Sequence, residues 1–144
     1  LMGISDENET YITFQMTYKE AINALEIAHI RKKECPVVWN EKIGYWKLLK
    51  DMSQQQQCKE FVSKKIDALI QYDKENESDL IETLEALVNH LGARNITATS
   101  LYLHRNTLMY RIKKIENLTG YDLSDPESIL ELSLALRLNK FMNH

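Results

Sequence analysis

Cysteine is nearly absent: the 144 residues hold only Cys35 and Cys58. They form no CxxC pair and stand beside no His/Cys cluster, which excludes the usual zinc and dithiol-redox arrangements. A disulfide between the two stays open, and a reducing, cytoplasmic compartment is the expectation. The histidines, His29, His90, His104 and His144, are scattered without metal-ligand spacing, and the chain has no glycine-rich phosphate loop and no recognisable nucleophile–base pattern. Catalysis, a metal and a cofactor are therefore not expected. No apolar run approaches the ~18 residues of a membrane span and no signal-peptide pattern is present, so no membrane partner is expected either. The most informative lack is of acid. Between Glu85 and Glu116 there is no Asp or Glu, while Arg94, Arg105, Arg111, Lys113 and Lys114 give that window a formal +5 in a chain of net −3.

What is present is the composition of a soluble globular chain, 44% apolar and 27% charged. Leu1 to Ser5 reads as a short strand with nothing beside it to pair with, and the chain is expected to be a fragment of something longer. Asp6 to Thr10 is loop-like, and Tyr11 to Met16 has weak strand propensity. Thr17 is expected to open a helix, with Glu20 completing a capping box. Ala21, Leu25 and Ala28 share one face of that helix and Ile22 widens it. Arg31, Lys32 and Lys33 close it, Pro36 blocks continuation, and Val37–Trp39 reads as a buried strand. A short helix follows, with Tyr45, Leu48, Leu49 and Met52 at helical spacing. Gln54–Gln57 is a loop or helix entrance, and a longer helix over about Cys58–Tyr72 carries Phe61, Val62, Ile66, Leu69 and Ile70. Tyr72–Asp79, with four acids, is the best candidate for a hinge.

The back half carries stronger signals. Ser78 is expected to cap a helix over Asp79–Leu91, which Gly92 ends. Ile96–Leu101 and about Arg105–Leu118 then read as two short helices joined at Tyr102 and Leu103, with Ala98 allowing their close approach. The register turns Leu108, Ile112 and Ile115 inward and Asn106, Tyr110, Lys113 and Asn117 outward. Arg111 lies nearer the inner edge. Ser124 or Asp125 caps a last helix from Pro126, whose apolar residues lie on more than one side. Such a helix is either deeply buried or shared with a partner.

A basic helix-turn-helix in an acidic chain points to double-stranded DNA. A recognition helix places its N-terminal residues against base edges in the major groove, where Arg105 can bind guanine and Asn106 adenine. The Thr107 hydroxyl is placed for a phosphate, Arg111, Lys113 and Lys114 for further phosphates, and Thr97 and Thr99 for the strand that the first helix crosses. His104 is expected to cap the recognition helix rather than to act as a catalyst. One feature runs against the motif. Tyr102 stands where such turns often carry glycine, so a positive φ there would be strained.

The stretch HRNTLMYRIKKIENLTG (His104–Gly120) resembles the C-terminal helix-turn-helix of the purine-catabolism regulator (PucR) family, whose module the sugar-diacid regulators (CdaR) share. The likeness extends through Asp79–Gly92 and Asp125–Leu138. More loosely, Thr17–Ala28 and Val37–Leu49 resemble the tail of the GGDEF-like domain that precedes the module in such regulators. The resemblance implies a mainly α chain: an α/β remnant over 1–52, a connecting helix and hinge over 53–77, and a DNA-binding domain over 78–144. It implies a bacterial transcription regulator, usually an activator of catabolic operons, whose small-molecule effector is bound by a missing upstream region. It marks Arg105, Asn106, Thr107, Tyr110 and Arg111 as DNA-reading. The rival reading is an oligomerisation or signal-relay module. The two are compatible, since such regulators read two half-sites as dimers, and a homodimer through helices outside the helix-turn-helix is expected.

Overall fold

Strand Met2–Ile4 (β1) pairs in parallel with Val37–Trp39 (β2), in the register Met2 with Val37, Gly3 with Val38 and Ile4 with Trp39. The first apolar stretch thus finds its partner 35 residues on, across the helix Phe14–Ile30 (α1) that a parallel connection requires. The computed structural model describes residues 2–5, 14–31, 37–40 and 43–143. The expectations for Asp6–Thr10, Lys32, Lys33, Cys35, Pro36 and His144 lie outside them, as does the front half of Tyr11–Met16.

Phe14 to Met16 are helical rather than extended, and Thr17 lies inside α1 instead of capping it. Thr17 and Glu20 sit on the half-buried side of the helix, in line with the buried Ala24, Ile27 and Ala28. The buried face is therefore a neighbouring stripe to the expected one, and Ile22 and Leu25 are left partly in solvent. Gly3 helps to set this rotation, because a Cβ there would overlap the backbone of Ala21 and Leu25. The same shift occurs in Tyr45–Ser53 (α2). Trp46, Leu49 and Ser53 face inward, while Tyr45, Leu48 and Met52 are exposed. The bulkiest ring decides the face: Trp46 packs against Phe141 at 5.9 Å between ring centres. Of the second strand only Val38 is buried.

The main core is helical. Gln56–Asn76 (α3), Leu80–Asn89 (α4), Arg94–Ser100 (α5), Arg105–Thr119 (α6) and Pro126–Met142 (α7) complete seven helices among the described residues, so the fold is mainly α. Cys58, a buried free thiol, leads the inward row of α3 with Val62, Ile66 and Leu69. Leu80, Leu84, Leu87 and Val88 of α4 meet Leu132, Ala135, Leu136 and Leu138 of α7 in one cluster. Each leucine or valine among them contributes about 1.5–3 kcal/mol by leaving water. Lys65 clips α3 to the far side of this core through the Tyr121 hydroxyl and the Glu131 carboxylate. Asp125 caps α7 by accepting from the Ser128 amide at 2.9 Å, with Pro126 following as expected.

The acidic stretch Tyr72–Asp79 is built rather than open. The third helix runs through it to Asn76, and Glu77 closes the helix at φ 48°. The Asp73 carboxylate accepts from the backbone amides of Leu80 (2.9 Å) and Ile81 (2.8 Å) and from the Ser78 hydroxyl. It satisfies two amides that the start of α4 would otherwise leave bare. Asp73, seven residues upstream, therefore does the capping expected of Ser78.

Candidate nucleic-acid interface

Two helix ends shape the approach to the recognition helix. At the end of α4, the Leu91 amide bonds to Val88 O and the Gly92 amide to Leu87 O, and Leu91 itself takes φ 51°. At the end of α5, the Tyr102 amide bonds to Thr99 O and the Leu103 amide to Ala98 O, and Tyr102 takes φ 54°. Both are the paired 6→1 and 5→2 closures that favour glycine at the left-handed position. The first left-handed residue is thus Leu91, one position before the expected Gly92. The strain anticipated at Tyr102 is present, and its ring is 96% exposed, so no packing within the chain offsets it.

Beyond this turn His104 is the N-cap of α6, its Nδ1 accepting from the Asn106 amide at 3.2 Å. The helix ends at Thr119, with Gly120 left-handed at φ 74°. Leu108, Ile112 and Ile115 are buried to within 1% against the core, as the register requires. Ala98, 8% exposed, sits in the same core. Arg105, Asn106, Thr107, Tyr110, Lys113 and Asn117 are all exposed. They form an outward face that begins at the N-terminus of the helix and carries no acid. Glu116, the one carboxylate on α6, is half-buried and accepts from the Leu123 amide at 3.0 Å.

Three expected DNA contacts are placed otherwise. Thr97 is fully buried and its hydroxyl donates to Ala93 O, so it belongs to the core of the motif. Arg111 turns back to α4: Nη1 donates to the Thr83 hydroxyl at 3.0 Å and Nη2 to Asp79 at 3.1 Å. Lys114 lies 4.5 Å over the ring of Tyr72 on α3, a cation–π contact. The inner edge of the recognition helix thus spends two of its cations on holding the helix to α3 and α4. Thr99 stays exposed, its hydroxyl donating to Asn95 O.

Asp73, Asp79 and Thr83 are the residues that sequence reasoning missed. Thr83 is fully buried, and its hydroxyl donates to Asp79 O at 2.7 Å while accepting from Arg111, so it is satisfied on both sides. In the sequence it was one polar position on an apolar helix face, and its partner lay 28 residues away.

Residues 80–138 match the family described as the PucR C-terminal helix-turn-helix domain. Over 140 residues, 96% of the chain and 34% of the relative, the chain is 30% identical to the proline-responsive transcriptional activator PutR of Bacillus subtilis. It is also 30% identical to the purine catabolism regulatory protein of the same organism, over 98% of the chain and 26% of that protein. The carbohydrate diacid regulator of Escherichia coli is 39% identical over 66 residues, 46% of the chain and 17% of that protein. The chain thus spans about a third or less of the length of these relatives.

Proposed function

We propose that the chain, whose residues 80–138 match the PucR C-terminal helix-turn-helix domain family, is the DNA-reading end of a bacterial transcription regulator. The observation that carries this is the outward face of α6, where Arg105, Asn106, Thr107 and Tyr110 stand exposed around a capped helix start free of acid. Arg105 and Asn106 read base edges, Thr107 and Lys113 meet the phosphate backbone, and Thr99 supports the strand that α5 crosses. The role is binding rather than catalysis, in the cytoplasm, as a homodimer on two half-sites. We read residues 1–52 as the tail of a GGDEF-like domain, 53–77 as a connector and 78–144 as the reading domain. The parallel strand pair around α1 supports the first of these. The relatives are named for proline, purines and carbohydrate diacids yet share this stretch, which supports recognition of a small-molecule effector elsewhere, in an upstream region. The name of PutR, a transcriptional activator, supports activation as the outcome of DNA binding.

Selection of bound duplexes from a random pool tests this directly. A half-site with its symmetry mate is expected, with affinity falling steeply as salt rises. Arg105→Ala or Asn106→Ala should then relax preference at one position by about 1–3 kcal/mol. No enrichment at low salt would overturn the reading.

A further inference from the structure

Tyr102 occupies a strained turn position with a side chain the fold does not use. It takes φ 54° between α5 and α6, where glycine would sit without strain. Its ring is 96% exposed, and its hydroxyl has no partner among the described residues. Backbone strain of this kind gathers where a protein holds a ligand. Leu91 is the contrast. It closes α4 by the same pair of bonds at φ 51° and is 89% exposed. But it borders an open groove of about 630 Å³ that Val88, Leu123, Ile129 and Leu130 also line, and to which α6 contributes no residue. Its side chain has no polar atom to offer.

The place of Tyr102 points to its partner. It stands three residues before Arg105, no more than about 11 Å of extended chain. With its side chains a helix is about 10–12 Å across, and the major groove is about 12 Å wide. A helix seated there by its N-terminal end fills the groove. The turn that leads into it then lies at the groove's edge, beside the phosphates. Thr99, Tyr102, Arg105 and Asn106 are all exposed around this turn. No Asp or Glu occurs between Glu85 and Glu116 to repel a phosphate. A phenol O–H is a donor, and a phosphate oxygen accepts it.

We propose that the Tyr102 hydroxyl donates to a backbone phosphate of bound duplex DNA and fixes the turn at the groove's edge. The proposal rests on the DNA reading above and adds a positioning contact to it, one that gives affinity without sequence preference. Fluorescence anisotropy of the 144-residue chain, on a selected half-site duplex and on a random-sequence duplex, tests it. Tyr102→Phe keeps the ring and the backbone. It should bind both duplexes roughly tenfold more weakly, because a hydrogen bond to a charged acceptor is lost. No cation is removed, so the slope of log affinity against log salt should stay that of the wild type. Tyr102→Gly should bind at least as weakly while melting no lower than the wild type, which separates the loss from unfolding. Leu91→Gly relaxes the matching strain at the end of α4 and should leave affinity unchanged. Tyr102→Phe binding both duplexes like the wild type overturns the inference, whatever Tyr102→Gly does. A loss confined to the selected half-site overturns the phosphate contact in favour of a base contact. An equal loss with Leu91→Gly assigns the effect to the backbone and overturns it too. A wild type that ignores both duplexes at low salt overturns the DNA reading itself.

Discussion

Arg111→Ala separates a reading residue from a holding one. The Arg111 side chain is 22% exposed, and its guanidinium bonds to a buried hydroxyl and to the carboxylate of Asp79, a side chain that is 57% exposed. The ion pair with Asp79 lies near water and is worth about 0–1 kcal/mol. The charged hydrogen bond to Thr83 contributes more, about 1.5 kcal/mol, at the low end for such bonds. Removing the side chain leaves the Thr83 hydroxyl donating to Asp79 O, so no fully orphaned group adds to the cost. The expected loss is about 1–2 kcal/mol of stability. For a chain of this size that is a fall in Tm of roughly 3–8 °C. Fluorescence anisotropy on duplex DNA, well below Tm and over a salt series, gives the second readout. Arg111 faces α4, so the slope of log affinity against log salt should match the wild type. A phosphate contact would instead flatten it by about 0.9. A variant that melts like the wild type but binds with a flattened slope would refute this account and return Arg111 to the DNA.

Three other outcomes follow from the same contacts. Tyr102→Gly should raise stability by up to about 1 kcal/mol, since the left-handed turn costs a side chain about 1–2 kcal/mol and glycine's extra unfolded freedom returns only part of that; a lower Tm would contradict the strain seen at φ 54°. Ile112→Ala should cost about 2–5 kcal/mol in chemical denaturation, because the side chain is 1% exposed in the row that seats α6. The Ser128 hydroxyl and amide hold the Asp125 carboxyl below its ordinary 3.8. The folded pKa is depressed, so the cap stabilises above pH 3.8 and is lost as pH falls through the folded value. The Tm gap between wild type and Asp125→Ala should therefore be constant at neutral pH and close in acid.

The comparison of chain and fold is clearest on the recognition helix. Its inner and outer rows, its His104 cap and its glycine stop were all legible, because each depends on residues within four or five positions along one helix. The Asp125–Pro126 start of α7 was legible for the same reason. Periodicity was weaker on α1 and α2, where two apolar stripes overlap. Gly3 against Ala21 and Leu25, and Trp46 against Phe141, chose between them.

The sequence by itself determined that this protein carries a basic, acid-free helix-turn-helix with Arg105, Asn106 and Tyr110 on its open face. That information is local: helical register and charge need no neighbours. Only the tertiary structure decided that Arg111 and Lys114 turn inward, that Thr97 is core, and that Asp73 rather than Ser78 starts α4. A long side chain on the edge of a helix can reach either solvent or a neighbour. Which it meets depends on where helices 28 or more residues away are packed, and spacing along one helix cannot encode that.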